Sequence, residues 1–249
     1  MNKAKVKQVK PDHTKKVVQF LGVAFEDYVA SRVLLNSGLL SQGAVLASTA
    51  IEKYFKAIMA SRGMESHGHL KTAHWNSVRN LDKALYDRID VDFLRLCKKS
   101  YDLRYTDQLA PGFSIVIAQR EFLAELDATV AMIEPTFVRD NGGRETKYQH
   151  MSRERDQRLW LNNHVLHGGA KEDWIYAQPQ MVQELRQLPG DVLMEVTYLT
   201  TKRPDNPSMM RDGILPDPKN PLSYAMSHEP VASDGGAQTE TGATVGETT

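Results

Sequence analysis

The stretch "EDYVASRVLLNSGLLSQGAVLASTAIEKYFKAIMASRG", Glu26 to Gly63, decides the fold. Apolar residues at Val17, Leu21, Ala24, Tyr28 and Leu35, widened by Phe20, Phe25 and Leu34, fall on one face of a helix that Asn36-Ser37-Gly38 ends. Ala44, Ala47, Ile51, Tyr54, Phe55, Ile58 and Met59 repeat at three and four in a second helix, closed by Arg62-Gly63. The connection is too short for anything but an antiparallel pair. Gly43, Ala44, Ala47, Ser48 and Ala50 make a seam of small residues that lets a neighbouring helix approach closely.

The same periodicity predicts a helix from about His74 to Tyr86 on Trp75, Val78, Leu81 and Leu85. It predicts another from Val91 to Leu103 on Phe93, Leu94, Leu96, Cys97 and Tyr101. After Pro111-Gly112, a fifth runs from Ile115 to Ile133, with Ile115, Ala118, Phe122, Leu126 and Val130 in register and Pro135 as its stop. Residues 17–137 therefore read as an all-α bundle. Residues 1–16, with six lysines, one acid and Pro11 breaking any helix, read as a flexible basic arm.

Beyond Arg139 the composition turns polar, so 138–228 reads as a linker and weakly structured extension. It holds one candidate helix at 152–166 and one candidate strand at Val192–Thr200, which has nothing predicted to pair with it. The last residues, 229–249, lack Lys and Arg and read as a disordered low-complexity tail. On this division, truncation after about residue 138 leaves the bundle folded.

With 249 residues, 41% hydrophobic, the chain can bury one sizeable core; its formal charge of zero supplies no global field toward nucleic acid or membrane. A lone cysteine, Cys97, excludes an internal disulfide. No apolar run approaches the ~20 residues of a spanning helix, which together predict a soluble cytoplasmic protein without a membrane partner. No glycine-rich phosphate loop of the P-loop or dinucleotide type occurs, and no cofactor is expected. His67, His69 and His74 share one loop, but with no cysteine or acidic partner at a matching spacing the loop reads as structural and no metal is assigned.

Polar candidates remain. Arg32 on the first helix and Glu52 and Lys53 on the second, if the antiparallel pairing brings them together, form a rim that is either a structural ion pair or an anion-binding cleft. In "SYDLRYTDQLAPG", Arg104 beside Tyr105 is able to grip a phosphate and stack a base, and Asp107 begins the turn.

Glu26 to Gly63, "KTAHWNSVRNL" at Lys71 to Leu81 and "YDLRYTD" at Tyr101 to Asp107 together resemble the HEPN domain family over about half the chain. The resemblance implies a four- or five-helix up-and-down bundle, usually a homodimer. Family members include RNA-cleaving toxins of toxin-antitoxin and defence systems, partners of minimal nucleotidyltransferases, and non-catalytic nucleotide- or RNA-binding modules. The cleaving branch has an arginine, a polar residue, then a histidine after four to six residues. Here Arg104 is followed by Tyr105, with no histidine before His150. Matching spacings occur elsewhere, at Arg62 with His67, Arg144 with His150 and Arg158 with His164.

The expectation is thus a non-catalytic dimeric module that binds a nucleotide, RNA or a partner protein, with Arg104, Tyr105, Asp107, Arg32, Glu52 and Lys53 as its surface. The alternatives are a degenerate ribonuclease using Arg104 with a histidine from elsewhere, or a pure interaction module.

Overall fold

The computed structural model describes residues 11–65, 68–70, 72–140, 145–205 and 208–215. Helix α1 (Pro11–Asn36) turns back through Gly38 into α2 (Leu40–Ser61). Gly38 has φ 81°, and Leu39 N–H bonds the Leu34 carbonyl at 2.9 Å, so the left-handed glycine closes the helix. The small seam has its predicted consequence. A Cβ on Gly43 would lie 2.6 Å from Leu35 Cγ and 3.1 Å from the Leu35 amide nitrogen, and Ser31 Oγ donates to the Gly43 carbonyl at 2.7 Å. Pro11 starts α1 rather than breaking it, because a first-turn residue has no helical N–H bond to lose. Residues 11–16 therefore belong to the helix, and the rest of the expected basic arm lies outside the described residues.

The expected third helix is two, α3 (Thr72–Leu81) and α4 (Lys83–Tyr86), divided where the Asp82 carboxylate caps the Leu85 amide at 2.9 Å. Helix α5 (Val91–Ser100) gives way to a tighter 3-10 turn at Tyr101–Arg104. The largest correction follows. Residues 114–118 form strand β1 (Ser114–Ala118), not the first turn of a helix, and α6 (Gln119–Asp140) begins directly after it. Pro135 does not stop α6: it sits on an exposed side near the helix end, while Thr136 and Phe137 pack inward and hold the last turn.

The segment read as an extension is part of the same compact unit, which ends at Leu215. It contains α7 (Lys147–Arg153), α8 (Gln157–Trp160), α9 (His164–His167) and α10 (Lys171–Tyr176), then β2 (Gln180–Leu188) and β3 (Val192–Thr200). The candidate helix at 152–166 is broken by positive φ at Arg155 and Asn162. Strand β3 matches its expected bounds and has a partner after all: the sheet order is β1-β2-β3, antiparallel throughout, with Ser114 opposite Arg186 and Gln180 opposite Thr200.

The fold is therefore predominantly helical with a three-stranded sheet, rather than all-α. One sheet face places Ile115, Ile117 and Leu185 in the helical core, while Val116, Ala118 and Val182 meet Tyr198 on the other. Because β1 finds its partner only in β2, a chain cut near 138 leaves Ile115 and Ile117 without their sheet. The expected tail lies outside the described residues, among which no helix is long and apolar enough to cross a membrane.

Candidate functional site

The exposed arginine is held by its own turn. In a 3-10 helix side chains three apart eclipse, so Tyr101 and Arg104 meet on one edge while Leu103 is buried beneath them. The Arg104 guanidinium lies 4.7 Å from the Tyr101 ring centroid and 5.1 Å from that of Tyr105, and donates to both hydroxyls, the Tyr105 bond being 3.2 Å. His69 stacks on Tyr101 at 4.4 Å with 30° between the planes. Its Nδ1 faces Glu52 Oε2 at 3.6 Å, just beyond hydrogen-bond distance.

Glu52 is only 5% exposed and accepts from Lys56 at 2.7 Å; the same ammonium donates to the Gly68 carbonyl at 2.6 Å, and buried Leu70 anchors the loop that carries His69. A continuous strip results: Glu52, His69, Tyr101, Arg104 and Tyr105. Burial raises the Tyr101 phenol, opposed by Arg104, so this hydroxyl is neutral and able to donate. An arginine fixed between two tyrosine rings presents its remaining N–H groups to an anion beside aromatic faces, the combination that takes a phosphate together with a base.

Of the residues expected at the site, Arg104, Tyr105 and Glu52 share this strip. Asp107, exposed on the following short turn, takes no part in those contacts. Lys53 is tied to Asp27 on α1, which also accepts from Thr49. Arg32 is not at a rim and does not meet Glu52. Ser31 meets α2 at Gly43, so neighbouring Arg32 lies at that level and Glu52 is nine residues further along α2, roughly 14 Å away.

Arg32 is instead fully buried and paired with Asp127 of α6. Tyr28 Oη donates to the other Asp127 oxygen at 2.7 Å, and Arg32 also donates to the carbonyls of Arg158 (3.2 Å from Nε) and Leu161. Burial pushes the Asp127 carboxyl upward, opposed by Arg32 and the Tyr28 hydroxyl. Asp127, Arg158 and Leu161 are each distant from Arg32 in sequence, and no local pattern marks them. His69 was likewise missed as a neighbour of Arg104, since the two lie on different elements. His74 is buried, His67 lies outside the described residues, and among the described residues no cluster of His, Cys, Asp or Glu is arranged to hold a metal ion.

The chain matches no protein-family model, no curated protein and no solved structure.

Of the three arginine-histidine spacings, Arg62 with His67 and Arg144 with His150 each include a residue outside the described ones, and Arg158 with His164 dissolves in three dimensions. Arg158 is exposed and forks onto Asp156, whereas His164 is 4% exposed, 5.9 Å from Trp174, and its Nδ1 has no hydrogen-bond partner. Burial first, then Lys171 and Arg32, push the His164 imidazole down to about 4. The unfolded imidazole takes a proton below ~6.5 while the folded one stays neutral to about 4. Stability should therefore fall as pH drops through that window. Between pH 7 and pH 5 the loss is about 2 kcal/mol from this group alone. Urea denaturation at the two pH values checks it, and His164→Gln should remove that part of the slope.

A groove of about 660 Å³ lies elsewhere, along α1, α7 and α8, lined by Phe25, Val29, Val33, Leu34 and Met151. It includes none of the strip residues.

Proposed function

We propose that the strip around Arg104 binds a nucleotide or single-stranded RNA without cutting it, in a HEPN-like helical module acting in the cytoplasm. The observation that carries this is one exposed guanidinium held against two tyrosine rings: it supplies donors for a phosphate, and Tyr105, 49% exposed, offers a face for a base. Cys97, buried with its thiol raised by burial, is an unreactive core residue, which accords with a reducing compartment. A toxin-antitoxin setting with a nucleotidyltransferase-like partner is the context that the family resemblance suggests.

Labelled ribonucleotides and short RNA oligomers, titrated by fluorescence anisotropy, test the reading. Arg104→Ala should weaken binding at least tenfold, and Arg104→Lys nearly as much, because an ammonium lacks the planar fork. Tyr105→Ala should cost about 1–3 kcal/mol per stacked base. No binding by the wild type, or equal binding by Arg104→Ala, would defeat it.

Cleavage of the bound RNA is the second reading, favoured by the histidine that sequence spacing does not supply: His69 stacks on Tyr101, the ring that Arg104 covers, and so brings an imidazole to the strip as its candidate proton carrier. Intact RNA after prolonged incubation with the wild type excludes it. Cleavage abolished by His69→Ala with binding retained would replace the first reading.

A further inference from the structure

Strand β3 ends the sheet with an edge that, among the described residues, lacks most of the usual protections, Glu195 being its single charge. It is nine residues long, pairs with β2 without a bulge, and its sequence "VLMEVTYLT" has no proline, lysine or glycine. Among the described residues no backbone group outside β2 bonds to it. Every second residue therefore turns its N–H and C=O away from β2. Edge strand β1, by contrast, is five residues long and almost wholly buried. The most exposed large apolar side chain among the described residues, Leu199 at 69%, is on β3, and Val192 is 51% exposed.

We propose that this edge pairs with the same strand of a second copy, joining the two sheets into one of six strands. A two-fold axis normal to the sheet aligns the strands antiparallel and sets residues of like facing opposite one another. Overlap of all nine residues centres the axis on Val196. Leu199 then meets the partner's Leu193, Met194 meets the partner's Tyr198, and Val192 meets the partner's Thr200. The only charge, Glu195, falls opposite the partner's Thr197 and avoids its own copy.

This self-complementarity, with Leu193 opposite Leu199, Met194 opposite Tyr198, Val196 opposite itself and the lone carboxylate opposite a hydroxyl rather than its own copy, selects a second copy as the occupant. The pairing also covers the side chain that the single chain leaves most exposed. It does not depend on what Arg104 holds.

Sedimentation equilibrium of the full chain tests it, with Thr197 as the reporter because its side chain is exposed and outside the core. The wild type should be dimeric. Thr197→Glu places two carboxylates opposite each other twice and should raise the dimer dissociation constant at least about tenfold. Thr197→Lys faces the partner's Glu195 and should hold or tighten the dimer. Leu199→Ser should weaken it without altering the melting temperature measured at a concentration where the chain is monomeric. A monomeric wild type overturns the proposal, as does a dimer that Thr197→Glu and Leu199→Ser leave intact. Equal weakening by Thr197→Glu and Thr197→Lys overturns the register.

Discussion

Replacing Arg32 by alanine is expected to cost about 3–5 kcal/mol, a large share of the ~5–15 kcal/mol that keeps a domain folded. The guanidinium and the Asp127 carboxylate are both fully buried. Removing one leaves the other charged, desolvated and without its opposite, and it also strips the donors from the Arg158 and Leu161 carbonyls. Asp127→Ala should be similarly severe, since it leaves buried Arg32 without its counter-charge and the Tyr28 hydroxyl without its acceptor. The paired replacement Arg32→Met with Asp127→Leu should recover the part of the loss that comes from the uncompensated charge, while the Arg158 and Leu161 carbonyls and the Tyr28 hydroxyl stay unpaired. Urea denaturation of the three variants checks this. A loss under 1 kcal/mol in Arg32→Ala would show that the pair is not what holds α1 to α6.

The second large effect is expected at Glu184, a buried carboxylate in the middle of β2 that is 1% exposed. It accepts the Tyr198 hydroxyl at 2.7 Å and the amides of Ile214 and Leu215 at 2.9 and 3.1 Å. It thereby fastens residues 208–215 across the sheet, helped by Arg211 on Glu121 and Ser208 on Asp92. Hydrogen bonds to a charged group are worth about 1.5–3 kcal/mol each, so Glu184→Ala should cost roughly 3 kcal/mol or more and release the strap. Gly213→Ala should do the same from the other side: its Cβ would stand 1.9 Å from Glu184 Oε2 and must displace the carboxylate. Amide exchange at Ile214 and Leu215 should accelerate in both variants. Burial, then the Glu184 bond and charge, hold the Tyr198 phenol well above its ordinary value, so its titration should move down in Glu184→Gln. Unchanged exchange at both amides would mean that the strap is fastened elsewhere.

What the sequence disclosed follows from how local each signal is. The α1–α2 pair was legible because its information is contained in the stretch itself: the periodic apolar face, the terminating glycine and the small seam. Strand β3 was legible from its β-branched and aromatic run. Strand β2, "QMVQELRQL", was not, because its buried positions include Gln180 and Glu184, whose burial makes sense only with partners from α6 and the strap. Strand β1 failed differently. "SIVIA" is a continuous apolar run that fits either a buried strand or a helical turn, and no break separates it from α6.

At the candidate site, Arg104 and Tyr105 were visible as neighbours in the chain. His69 was not, since its approach depends on a loop pinned by Lys56 and Leu70. Arg32 drew notice as a charge on a helix, but nothing local distinguishes a cation bound for the core from one at a rim.

The antiparallel pairing of residue 114 with residue 186 has a consequence for how the chain is born. As it leaves the ribosome, the α1–α2 pair can form from adjacent segments, and β2 with β3 can close as a hairpin over Pro189-Gly190-Asp191. Strand β1 emerges long before either and must wait, apolar and unpaired, while α6 through α10 are synthesised behind it. Completion of the fold is therefore gated by a single late docking event, and the nascent chain is most in need of a chaperone between the exit of "SIVIA" and the exit of β2.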